Sequence, residues 1–77
     1  MNNPNIVEFE IEGDYIELFK LLKAASVCSS GGEAKMLIGE GEVLVDGVVE
    51  TRKRRKITSR NEIRLFDFNI RILTRGG

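Results

Sequence analysis

The 77-residue chain contains no histidine and only one cysteine, Cys28. The missing histidine removes both the commonest metal ligand and the commonest general base. A single cysteine can neither close an intrachain disulfide nor build a zinc site of several thiolates. As a nucleophile Cys28 would lack its usual imidazole partner, so it reads as a small packed residue at a helix end. No carboxylate pair, nucleophile–base set or Walker-type phosphate loop is present. An enzyme is therefore not expected, and neither a cofactor, a metal nor a small-molecule substrate is implied. No apolar run approaches a membrane span. Met1-Asn2-Asn3-Pro4 lacks the basic and apolar regions of a signal peptide. The expectation is a cytoplasmic chain without membrane contact.

What is present is modest in size. A chain this short buries only about 60% of its unfolded surface, so its core is small. A hydrophobic content of 42% still suits a folded domain. One domain with little room for a deep pocket tilts the reading toward a binding module.

The charge is zero overall but not evenly spread. Residues 1–50 hold three Lys/Arg against ten Asp/Glu, a net of −7, and residues 51–77 hold nine against two, a net of +7. Five adjacent cations, Arg52-Lys53-Arg54-Arg55-Lys56, sit in the second part. Such a run is self-repelling unless it is solvated or meets an anion. Nucleic acid is the commonest polyanion partner, and a solvated loop is the plain alternative.

Val7, Phe9 and Ile11 alternate with Glu8, Glu10 and Glu12, which predicts a strand with an acidic outer face. Those glutamates either pair with Arg64 and Arg71 across a sheet or repel a polyanion from that face. Asp14 to Glu17 has the spacing of a capping box. Leu18, Leu21, Leu22 and Ala25 then form a helical stripe, widened by Ile16 and Phe19 and fading near Val27. Ser30 to Glu33 is a sharper capping box, followed by the stripe Ala34, Leu37 and Ile38 and the helix-ending pair Gly39 and Gly41. Val43 and Val45 lead into Asp46-Gly47, a two-residue hairpin signal, and Val48 and Val49 return. Ile63 and Leu65 alternate as a further strand, residues 67–69 read as a turn, and Ile70 and Ile72 begin a last strand. The fold class is α+β: two short N-terminal helices packed on a small, mostly antiparallel sheet, in the order strand, helix, helix, hairpin, strands. Residues 1–5 are expected to be a flexible tail and 6–75 a single domain.

Two tandem helices followed by Val43, Val45, Asp46-Gly47 and Val49 resemble the RNA-binding domain first recognised in the small-subunit ribosomal protein S-four, the αL motif. Ser30, Ala34, Leu37-Ile38, Gly41 and Ile63 also match, so the likeness spans about residues 15–65. Residues 50–57 look closer still to the free-standing YbcJ-type bacterial proteins. Two departures stand out. Many family members carry an arginine where this chain has Gly31, and often Gly-Asp where it has Arg60-Asn61.

The resemblance implies a structured RNA, such as ribosomal RNA, as partner. The chemistry of the residues agrees: Lys and Arg neutralise phosphates without reading sequence, and the arginine fork suits phosphate oxygens. Arg52, Lys53, Arg54, Arg55 and Lys56 are the first candidates. The helix start at Ser30, Gly31 and Gly32 offers a second anion site, with Lys35 one turn in. Lys20, Lys23 and Arg60 are further candidates. Phe9, Tyr15, Phe19, Phe66 and Phe68 are not interleaved with the basic run, so stacking on bases is not indicated. The expected binder is a monomer. Two alternatives stand beside it. One is a ubiquitin-like or sulfur-carrier protein acting through Gly76-Gly77. The other is an adaptor docking its basic run on an acidic protein.

Overall fold

Side-chain alternation decides which face of the sheet is buried. In the computed structural model, which describes residues 5–74, seven strands and two helices follow one another. They are β1 (Asn5–Ile11), β2 (Ile16–Glu17), α1 (Leu18–Ala24), α2 (Gly31–Gly39), β3 (Val43–Val45), β4 (Val48–Val49), β5 (Lys56–Ile57), β6 (Glu62–Leu65) and β7 (Phe68–Thr74). Five strands form the main sheet in the order β1-β7-β6-β3-β4, and β2 pairs with β5 in a separate ribbon. The β1–β7 pair is parallel and the other pairs are antiparallel. The protein is thus α+β with a mostly antiparallel sheet.

Val43, Val45, Ile63, Leu65, Ile70 and Ile72 form the inner face and pack with Leu18, Leu21, Leu22, Ala34 and Ile38 of the helices. Each fully buried Leu or Ile contributes about 1.5–3 kcal/mol by leaving water. The opposite face is charged. Register places Arg71 between Glu8 of β1 and Glu62 of β6, with an Arg71 Nε to Glu62 Oε2 distance of 4.0 Å. Arg64 lies opposite Asn69 and Leu44 instead of a glutamate.

Several local expectations shift. Asn5, counted with the tail in the sequence reading, opens β1, and its N–H donates to the Asp67 carbonyl at 2.7 Å. The first capping box does not form. Ile16 and Glu17 are drawn into pairing with Ile57 and Lys56, so α1 starts only at Leu18, without a side-chain cap. Long-range backbone pairing outweighs the local signal there. The helix ends at Ala24, earlier than Val27, because Ser26 turns left-handed (φ 62°). Its N–H and that of Val27 then close a Schellman motif on Lys23 and Leu22. Val48 and Val49 return antiparallel to β3 as the hairpin signal predicts, but as a short edge strand that leaves them 69% and 53% exposed. The last turn is Phe66-Asp67, one residue earlier than residues 67–69, and Phe68 and Asn69 belong to β7.

Other signals hold. Ser30 Oγ accepts the Glu33 N–H at 3.1 Å, although the Glu33 carboxylate reaches back to the Ser29 N–H at 2.7 Å, one residue beyond the usual partner. Gly41 (φ 79°) closes α2 with N–H donation from Gly41 to Ile38 and from Glu42 to Leu37. Asp46 (φ 53°) and Gly47 (φ 84°) both take the positive φ that a type I′ hairpin requires. Cys28 is buried and its thiol pKa is pushed up, first by burial and then by Glu33. Among the described residues, no helix is long and apolar enough to cross a membrane.

Candidate nucleic-acid interface

The basic run is a shaped loop. It leaves the hairpin at Glu50, whose N–H donates to the Val43 carbonyl at 2.9 Å. The Glu50 side chain is only 8% exposed. Its Oε2 accepts the Arg52 backbone N–H at 2.9 Å and the Arg52 Nε–H at 3.0 Å. Its Oε1 accepts Arg52 Nη2 at 3.0 Å and Arg55 Nη1 at 2.7 Å. The Arg52 hydrogen bonds, with Arg55 adding to them, hold the Glu50 carboxyl down to about 2 against the opposing effect of burial. The same pairing raises the Arg52 guanidinium pKa.

A turn closes between these arginines: the Arg55 N–H donates to the Arg52 carbonyl at 3.2 Å. Lys53 and Arg54 are therefore its two central residues, and both are exposed. The far side of the loop is bolted to α1. The first two amide groups of that helix, at Leu18 and Phe19, donate to the carbonyls of Arg55 (2.9 Å) and Lys53 (3.0 Å). Both belong to the first turn, whose N–H groups have no partner within the helix, and Phe19, at the second helical position, is one that a side-chain cap would otherwise satisfy. The β2–β5 ribbon then fixes Lys56, and Ile57 is fully buried beside it.

The helices add to this surface. The Lys35 Nζ lies 4.7 Å from the Phe19 ring centroid and the Lys20 Nζ lies 5.9 Å from it, favourable cation–ring contacts. Lys56 sits over Tyr15 in the same way, at 4.9 Å. One shallow depression is lined by Lys35, Gly39, Thr51, Arg52, Lys53 and Arg54. A second is lined by Arg52, Arg54, Arg55 and Lys56, and a third by Phe19, Lys20, Lys23, Ala24 and Gly31. Phe19 joins the third to the first through Lys35.

Most of the residues expected from the sequence thus come together, in altered roles. Arg52 and Arg55 spend hydrogen bonds on Glu50. Among the described residues, no ion pair involves Lys53, Arg54 or Lys56. Lys35 faces the basic loop, whereas Gly31 borders Lys20 and Lys23. Gly32 is exposed in the first turn of α2, and the Ser30 hydroxyl is occupied by Glu33. Arg60 stands apart in the β5–β6 turn and lines none of the three depressions. That turn is tied to the hairpin by the Asn61 Nδ2 bond to Asp46 Oδ2 at 2.7 Å. Gly76 and Gly77 lie outside the described residues. Glu50, Tyr15 and Phe19 were not expected at the site. The available hint for Glu50 was its place as the one acid within two residues of the run. Lys20 is the chain neighbour of Phe19, but no local pattern brings Lys35 over Phe19 or Lys56 over Tyr15. Among the described residues, no group of acidic or thiol side chains could hold a metal ion.

This scaffold is that of the S4 domain. Residues 9–73 match that family, and the chain belongs to it. Its relatives include YbcJ of Escherichia coli K12, 41% identical over 59 residues covering 77% of this chain and 84% of YbcJ. A Bacillus subtilis protein, named "Probable ribosome maturation protein RlbA", is 40% identical over 57 residues, covering 74% of this chain and 75% of that one. The solution structure of E. coli YbcJ, described as revealing an αL motif involved in RNA-binding, superimposes with a TM-score of 0.69. It is 35% identical and covers 95% of this chain and 94% of its own.

Proposed function

We propose that this chain is a non-catalytic RNA-binding protein that holds structured RNA by its phosphates and acts as a monomer. The observation that carries the reading is the turn that presents Lys53 and Arg54 outward, with Lys56 and Lys35 in the two depressions that border it and Lys20 beside Phe19 in a third. A run of like charge held in one conformation suits a polyanion of fixed shape better than a flexible one, because less ordering is lost on binding. The RNA-binding description of the YbcJ structure supports the partner class. The ribosome-maturation name of the B. subtilis relative favours ribosomal RNA among structured targets. Tyr15 and Phe19 already face lysines, which leaves phosphate contact, not base stacking, as the main source of affinity.

The test is a titration of a fluorescein-labelled RNA hairpin at several salt concentrations, with an unstructured polyuridylate strand and a DNA duplex in parallel. The parent should prefer the hairpin, with a slope of about 0.7–0.9 logarithmic units per phosphate neutralised. Lys53→Glu with Arg54→Glu should abolish most of the affinity. Unchanged affinity and slope in that double variant would sink the proposal.

A further inference from the structure

Glu50 presents a puzzle for electrostatics. It is an almost fully buried carboxylate set against five cations, and it partly cancels the charge that draws RNA. Simple Coulomb reasoning says that its removal should strengthen binding. The geometry points the other way. Four hydrogen bonds converge on its two oxygens, one from a backbone N–H and three from guanidinium groups. They cross-link residues 50, 52 and 55, the exit of the hairpin and both ends of the basic turn. Between the last two lie only Lys53 and Arg54. The α1 amides hold the loop from the other side, through the carbonyls of Lys53 and Arg55. The carboxylate and the helix thus grip one short turn from both sides.

We propose that Glu50 is a positioning residue for RNA. It keeps the basic turn in the shape that points Lys53 and Arg54 outward, so removing its negative charge weakens RNA binding although the net charge becomes more favourable. This rests on the reading of the basic loop as the RNA site. Arg52 is a partner in the clamp: its Nε and Nη2 are both engaged on Glu50, so its fork geometry matters beyond its charge.

The experiment compares the parent with Glu50→Gln, Arg52→Lys and Arg54→Gln, using the same labelled RNA hairpin and recording the salt slope and the far-ultraviolet circular dichroism of each. Glu50→Gln should bind about five- to tenfold more weakly, because side chains released from the clamp must be ordered on binding. Its salt slope should not steepen. Arg52→Lys conserves charge and lies on an exposed side chain, so it should fold and still bind about threefold more weakly. Arg54→Gln should weaken binding and make the slope shallower by about 0.7–0.9.

Equal or tighter binding by folded Glu50→Gln, or a slope steeper by about 0.7–0.9 per arginine released, overturns the proposal. If Glu50→Gln does not fold, Arg52→Lys decides: weaker binding together with a reduced acid dependence of stability in urea titrations upholds the clamp. Weaker binding with the parent's acid dependence makes Arg52 a plain phosphate contact and overturns the clamp, and parental binding overturns it as well. Parental binding by Arg54→Gln overturns the reading of the loop itself, and the clamp's role in RNA binding with it.

Discussion

Replacing Glu50 with glutamine should leave a signature in the pH dependence of stability that is independent of RNA. The carboxyl titrates near 2 in the folded protein instead of its ordinary 4.5. That difference corresponds to about 3 kcal/mol for an unscreened pair. The Arg52 side chain is 72% exposed, so solvent screening reduces the figure to about 1–2 kcal/mol. Because the folded-state value is depressed, the ionised carboxylate stabilises the fold fully above about pH 4.5. That stabilisation fades as pH falls toward about 2. Glutamine keeps the shape and one acceptor but has no charge to lose. The parent should therefore be more stable than Glu50→Gln by about 1–2 kcal/mol near neutral pH, or about 4–8 °C in Tm for each kcal/mol. More than half of the gap should be gone by about pH 3, where both side chains are largely neutral in the unfolded chain. Urea titrations of both proteins at stepped pH measure this directly, and carboxylates common to the two cancel in the difference. A gap that stays constant with pH, or widens on acidification, would refute the reasoning.

Other substitutions test single features. Gly31→Arg should fit, since a Cβ there would meet nothing closer than Phe19 Cδ2 at 3.9 Å; by adding a cation beside Lys20 and Lys23 it should tighten hairpin-RNA binding and steepen the salt slope by about 0.7–0.9. Phe66→Asn should raise stability in urea by about 0.5–1 kcal/mol, because Phe66 is 61% exposed at a φ of 54° that asparagine tolerates better. Asp46→Ala should cost about 1.5–3 kcal/mol in the same assay, as the carboxylate accepts the Glu62 N–H at 2.8 Å and the Asn61 amide at 2.7 Å.

The parts of this fold that depend on near neighbours were legible in the sequence. The Asp46-Gly47 hairpin, the Ser30 cap and the stripe of Leu18, Leu21 and Leu22 each follow from residues within a few positions of one another. What depends on distant pairing was not. Asp14 to Glu17 had a capping box's spacing, but Ile57 and Lys56 claimed Ile16 and Glu17 from forty residues away. The cations of the site were plain as a charge run, and their division of labour was not. Only the turn between Arg52 and Arg55 shows that two arginines are engaged on Glu50 while Lys53 and Arg54 face out. Composition likewise could not show that Phe19 and Tyr15 lie under lysines, because those contacts join elements far apart in the chain.

The parallel pairing of β1 with β7 has a bearing on how the protein is made. β1 is synthesised first and β7 last among the described strands, and β7 lies inside the sheet between β1 and β6. Contacts of such long sequence separation form late and slow folding. A nascent chain therefore carries β1 through most of its synthesis without the neighbour that later covers its backbone. Glu8 and Glu10 are exposed on that strand. Even after β7 arrives, β1 remains an edge strand of the sheet, and charged side chains on an edge strand disfavour edge-to-edge pairing of two copies.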